Sequence, residues 1–267
     1  MALANVAVPR RIFLHCAILL LVIFIPSLSV LAQNVCEIGN KALNPAPPLG
    51  ITPAEIIRQF SAKESAFKAA RDRYAYTVEI NVQTLTVSGR IDGQYRQVSE
   101  IMPGRDGTLQ EKVTFAPQST LRRIGLTQDD LDDIRFRLPV AITSDVVPFY
   151  SIEYVGQQHV DQLETYVFSV APKDAKHEKK LFAGRIWVDA QDLMIVKTCG
   201  KPHPDGVPKK KGPAYRTPMF VTYREQVDGK LWFATYAKAD EFAPFPLGDV
   251  HIREVIRYSD YKSLTSK

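Results

Sequence analysis

At Tyr74 the spacing of apolar side chains changes from about three and a half residues to two, and it stays near two for most of the remaining chain. Tyr76, Val78, Ile80 and Val82 alternate with Thr77, Glu79, Asn81 and Gln83, the pattern of a strand with one buried and one wet face. Further strand-like runs lie at 90–102, 109–116, 149–156, 159–171, 180–189, 192–199, 216–227, 230–241 and 249–262. Gly156-Gln157-Gln158, Asp189 to Asp192 and Asp228-Gly229 separate several of them and have hairpin chemistry. Hairpins in succession, with no helix between them, make an antiparallel meander. The chain is therefore expected to be mainly β, of the α+β class.

Two short helical signals interrupt this pattern. Thr52-Pro53-Ala54-Glu55 supplies a capping threonine, a first-turn proline and a reciprocal glutamate. Ile56, Phe60, Phe67 and Tyr74 follow at nearly helical spacing, which predicts a helix over 53–73 with one apolar stripe. Asn44 to Gly50 holds three prolines and reads as a stiff connector. A second helix is expected over 127–135, capped by Thr127, with Asp129, Asp130, Asp132 and Asp133 near its positive end. That acidic run lacks the glycine and distal glutamate of a calcium loop and reads as a solvated helix start. No internal repeat and no domain boundary is visible after residue 52.

The N-terminus carries Arg10-Arg11, an apolar run from Ile12 to Ile25, and then Pro26, two serines and Val30-Leu31-Ala32. This is the three-part pattern of a signal peptide, with cleavage expected after Ala32. The rival is an uncleaved membrane anchor, which Pro26, Ser27 and Ser29 disfavour. Arg10-Arg11 also fits a twin-arginine signal, while the strongly apolar core favours the ordinary secretory route. Loss of the leader removes two arginines and no acid, lowering the net charge from +5 to +3. So small a charge is no nucleic-acid footprint. Of three cysteines, Cys16 leaves with the leader. Cys36 and Cys199 remain as an even pair in an oxidising compartment, and a disulfide is expected. Gln33-Asn34-Val35 before Cys36 is not the small apolar set of a lipid-attachment site.

A search for chemistry is mostly negative. His159, His177, His203 and His251 do not pair at metal-ligand spacing, and Cys199 with His203 has no matching second pair. Nucleophile elbow, phosphate loop and dinucleotide fingerprint are absent, and the carboxylates are scattered. The reading is a non-enzyme without cofactor or metal. Lys209, Lys210 and Lys211 stand between Gly206 and Gly212 as a basic loop suited to a membrane surface or an acidic partner. Trp187 and Trp232 sit on strands, where packing is the usual role.

Glu164-Thr165-Tyr166-Val167-Phe168 leading to Ala171-Pro172-Lys173, then Gly184-Arg185-Ile186-Trp187-Val188-Asp189, resembles the paired strands of the bacterial outer-membrane lipoprotein-sorting group. Phe220-Val221-Thr222-Tyr223-Arg224-Glu225 with Gly229-Lys230-Leu231-Trp232-Phe233 is similar to that group's next hairpin. One helix before a long meander, behind a signal peptide, resembles the LolA and LolB carriers across residues 52–262. The resemblance implies a curled antiparallel sheet forming an incomplete β-barrel, with the N-terminal helix and the short second helix as a lid. It also implies a periplasmic binding protein for a lipid or acylated protein, with an apolar concavity for which Val78, Ile80, Val82, Ile186, Val188, Phe220 and Phe233 are candidates. Each is equally a candidate for plain core, and a one-residue slip would exchange the strand faces. The expected organisation is signal peptide 1–32, proline-rich extension 33–51 and domain 52–267. The alternative function is a periplasmic sensing or protein-interaction module.

Overall fold

In a computed structural model of the chain, residues 36, 41–104, 108–137, 139–174, 181–203, 218–227, 229, 231–245 and 248–264 are described, with only the backbone of 136, 137 and 203. Residues 1–32, expected to be a leader, His177 and Lys209 to Lys211 lie outside them. The described residues belong to one compact unit, Gln33–Lys267.

Helix α1 spans Pro53–Arg71. Its start follows the sequence signal: the Thr52 hydroxyl oxygen accepts from the Glu55 amide at 3.2 Å, and Pro53 opens the first turn. The Glu55 carboxylate turns along the helix to Arg58 and Gln59, whose hydrogen bonds hold its pKa down to about 2. The helix stops two residues short of the expected end. Tyr74, which the spacing put on the apolar stripe, instead opens β1 and pairs with Ser263, because strand pairing claims it first.

Ten strands follow: β1 (Tyr74–Leu85), β2 (Ile91–Pro103), β3 (Leu109–Phe115), β4 (Tyr150–Val160), β5 (Leu163–Pro172), β6 (Leu181–Asp189), β7 (Ile195–His203), β8 (Phe220–Val227), β9 (Leu231–Ala243) and β10 (Val250–Ser263). They form one antiparallel sheet in the order β3-β2-β1-β10-β9-β8-β7-β6-β5-β4. Two meanders, β1–β3 and β4–β10, are joined where β10 pairs β1. The sheet is open, with edges β3 and β4, so "barrel" applies only in its incomplete sense.

The segment between β3 and β4 must travel from one edge to the other. It carries helix α2 (Gln128–Asp132), continued by a π turn over Asp133–Arg137. Thr127 caps α2 in a reciprocal box with Asp130. The acidic start, expected to be solvated, is in part buried: Asp130 and Asp133 are buried, and Arg135 is buried against Glu111 at 2.7 Å.

The expected turn at Gly156-Gln157-Gln158 is also corrected. Strand β4 runs on to Val160, and Asp161 takes the left-handed turn position at φ 52°. Gly156 instead marks a register shift in mid-strand at φ +155°, and a Cβ there would lie 2.4 Å from the Asn44 carbonyl oxygen. Asn44 bridges Gln157 through two backbone hydrogen bonds of 2.8 and 2.7 Å, so the N-terminal extension is laid against this edge. Cys36 and Cys199 form a disulfide that closes a separation of 163 residues. Lys197, fully buried beneath this extension, donates to the Cys36 carbonyl at 3.1 Å, its ammonium 4.7 Å from the Trp187 ring centroid.

Candidate binding face

Register fixes the strand phase that the sequence left open. Ile80, Ile256, Ala237, Thr222, Thr198, Ile186 and Phe168 stand opposite one another in a continuous row across seven strands. Directly opposed residues share a face, so Val78, Ile80, Val82, Ile186, Val188 and Phe220 all point the same way. Phe233 joins them on the helix side, its ring 5.3 Å from that of Phe67 on α1. All seven are buried. They fall into three groups: Val78, Ile80, Val82 and Phe220 with Ile134, Ile252 and Ile256; Ile186 and Val188 with Ile56, Phe60 and Ile142; Phe233 with Phe67.

The next row, Glu79, Arg257, Tyr236, Tyr223, Lys197, Trp187 and Val167, lies on the opposite face. Its charged and aromatic character agrees with a face that α1 does not cover.

Two elements cover the apolar face. Ile56, Phe60 and Phe67 of α1 reach it, and Ile124, Ile134 and Ile142 of the β3–β4 crossover reach it beside the helix. The two covers touch through Ser65, whose hydroxyl oxygen accepts from the Ser144 amide at 3.0 Å, and through the Ser61 and Ser144 hydroxyls at 3.4 Å.

One residue of the α1 stripe is charged. Glu64, fully buried between Phe60 and Phe67, meets the Arg224 guanidinium of β8 at 2.9 Å and accepts from the Ile195 amide at 3.3 Å. Its Oε2 has no hydrogen-bond partner. Burial pushes the Glu64 pKa up, against the opposing pull of Arg224. Arg224 donates also to the Val140 carbonyl and lies 5.2 Å from the Phe67 ring centroid. Sequence reasoning missed this pair; the only signal was a carboxylate at a core-facing helical position.

A cavity of about 20 Å³ lies between the covers and the sheet, lined by Phe67, Arg71, Tyr76, Arg135, Arg224 and Phe233 among others. It is large enough for one water-sized group. Three arginines from three elements thus line one void. Arg71 donates to the Pro139 carbonyl at 2.9 Å, and Arg135 Nε, buried, has no partner. Burial pushes the Tyr76 hydroxyl up to about 12 and raises Tyr258 and Tyr261 as well. Phe67 also walls a second recess of about 360 Å³, open to solvent, with Ala66, Met194 and Leu231 as its other apolar sides and Lys63 at its rim. Phe67 therefore lines both the arginine-lined void and an accessible recess whose other walls include the polar Asp192 and Gln226.

Among the described residues no three His, Cys, Asp or Glu side chains converge as a metal set. His159 approaches Glu164 at 3.9 Å on one strand pair, and His251 meets Asp240 on another. Trp187 and Trp232 are packing residues with satisfied indoles, donating to Gln158 at 2.6 Å and Asp192 at 3.0 Å. No described helix is long and apolar enough to cross a membrane.

No family model matches the sequence, and no curated protein matches it. Among solved structures, the chain is similar to a DUF1329 family protein from Desulfovibrio piger, with 14% identity over 81% of this chain and 95% of that one at a TM-score of 0.42. It is also similar to a putative outer membrane lipoprotein-sorting protein domain from Vibrio parahaemolyticus, with 12% identity over 79% and 94% at 0.36. A LolA superfamily protein from Nitrosomonas europaea matches with 14% identity over 76% and 94% at 0.33. These are likenesses of strand arrangement and assign neither ligand nor activity.

Proposed function

We propose that this chain is an exported binding protein for a lipid or lipid-modified protein, with the apolar sheet face as the binding surface and α1 with the crossover as a displaceable cover. The observation that carries the reading is the composition of the interface under α1. A helix meant only as core would complete its stripe with an apolar side chain at position 64. Here the stripe holds a buried ion pair with an unsatisfied carboxylate oxygen. Removing two charges from water offsets much of their attraction, so such a pair holds a cover less firmly than hydrocarbon would. Beside it, the recess at Phe67 gives an apolar ligand a point of entry.

An acyl chain gains about 0.8 kcal/mol per methylene removed from water, so a chain of roughly 15 supplies on the order of 12 kcal/mol towards opening the cover. The leader-like N-terminus supports an envelope location, where such cargo must cross water. Lys209, Lys210 and Lys211 are suited to anionic membrane contact in the same reading.

The test is native mass spectrometry of the mature protein from the soluble envelope fraction, followed by organic extraction. Acyl species released on denaturation are expected. A clean apo mass, together with no uptake of a fluorescent acyl probe, would remove the lipid reading. It would favour the alternative of a protein-interaction module, for which the open β3 edge with exposed Val113 and Phe115 is the supporting feature.

A further inference from the structure

Resting on the lipid-binding reading of the covered face, we propose that its ligand is an anionic amphiphile, and that Arg71, Arg135 and Arg224 receive its carboxylate or phosphate group. A neutral acyl chain gives no reason to bring three guanidiniums from α1, the crossover and β8 to one void inside the domain. Arginine is rarely buried unless paired, and its planar fork matches carboxylate and phosphate oxygens two at a time.

In the closed form the three are only partly matched by charge. Arg224 has Glu64 at 2.9 Å, and Arg135 has Glu111 at 2.7 Å with Asp132 at 3.6 Å. Arg71 has Asp72 at 3.6 Å and a longer-range attraction to Glu64, which it shares with Arg224. Arg71 and Arg224 also donate to backbone carbonyls, of Pro139 and Val140 respectively, and Arg135 has the Tyr95 hydroxyl beside it. Arg135 Nε has no acceptor. Two neighbouring carbonyl oxygens of the crossover therefore occupy the places where the oxygens of an anion would sit.

Carbonyl oxygens are neutral acceptors, and a hydrogen bond to an anion is roughly twice as strong. The anionic group replaces Pro139 and Val140 as the crossover lifts. Phe67, Leu109 and Phe233, on the same void, give the attached chain its apolar direction. The void as it stands admits one water-sized group, so binding and lifting occur together.

The experiment is displacement of a fluorescent acyl probe from the mature chain. The competitors are palmitate against hexadecanol, phosphatidate against diacylglycerol of the same chains, and inorganic phosphate and acetate alone. Palmitate and phosphatidate are expected to compete at least about tenfold better than their uncharged counterparts, the worth of one or two charge-assisted hydrogen bonds. Arg71→Gln and Arg135→Gln are each expected to bring that ratio close to one. Arg71 is partly exposed and its variant keeps the core intact, which a thermal melt checks. Equal competition by acid and alcohol in the wild type would overturn the inference while leaving the lipid reading standing. Failure of the probe itself to bind would remove both. Displacement by phosphate or acetate alone, at concentrations where palmitate acts, would overturn the amphiphile in favour of a free small anion.

Discussion

Glu64 sits one helical turn from Phe60 and three residues before Phe67, on a stripe that is otherwise hydrocarbon. Truncation there leaves the Arg224 guanidinium buried without its carboxylate, so Glu64→Ala is expected to cost about 3–5 kcal/mol in urea unfolding. Replacing both partners with apolar groups removes the two desolvation penalties together. The Glu64→Leu, Arg224→Met double variant is therefore expected to be as stable as the wild type or up to about 4 kcal/mol more so. A double variant as unstable as Glu64→Ala would show that the pair is worth more than its burial costs. The pH dependence has a defined sign. Burial raises the folded pKa of Glu64 above its ordinary 4.5, so the folded state binds the proton more tightly than the unfolded one. The contribution is complete below about 4.5 and is lost as pH rises through the raised folded value. The stability of the wild type relative to Glu64→Gln should thus fall as the pH rises above about 4.5; a flat difference would mean that Arg224 cancels the burial.

At the scale of elements, the same logic separates what could be read from the chain from what could not. β1 was legible because Tyr76, Val78, Ile80 and Val82 keep strict alternation and are buried at alternate positions. The α1 start was legible because capping is local chemistry. The turn placed at Gly156 failed because glycine there serves a close approach by Asn44 rather than a reversal of the chain, and a partner more than a hundred residues distant leaves no mark in the local pattern. Glu64 was invisible for the same reason, since its meaning lies in Arg224 on β8. The extension itself can be tested through these contacts. Gly156→Ala is expected to lose about 1–3 kcal/mol, because its methyl group would meet backbone that cannot step aside and φ is positive. Replacing Cys36 and Cys199 together by serine should cost about 2–5 kcal/mol of stability. It should also expose Trp187 to quenchers, because the extension is then held over Lys197 and Trp187 only by noncovalent contacts. Unchanged Trp187 fluorescence in that variant would show that the bridge adds nothing to the packing.

For the molecule as a whole, composition and turn spacing pointed to an antiparallel meander, but they could not show that β10 returns to pair with β1 and so places β3 and β4 at opposite edges of a ten-stranded sheet. That pairing dictates the crossover, because a chain leaving β3 can reach β4 only by passing over a face. Two independent covers then share one apolar surface, and the proposed binding requires them to part or to move. Ser61 and Ser144 bring the covers within 3.4 Å, hydroxyl to hydroxyl, which makes this pair of positions the place to try a cysteine bridge. In the Ser61→Cys, Ser144→Cys variant, oxidation ties the crossover to α1 and keeps Pro139 and Val140 over Arg71 and Arg224. Acyl-probe affinity is expected to fall about tenfold or more on oxidation, the effect of forfeiting roughly 1.4 kcal/mol of ligand-driven opening, and to return on reduction. The wild-type chain, oxidised and reduced alongside, separates this effect from that of the natural Cys36–Cys199 bridge. If the tied variant bound the probe as well as the wild type, the two covers would have to move as one body, and entry would lie at the Phe67 recess alone.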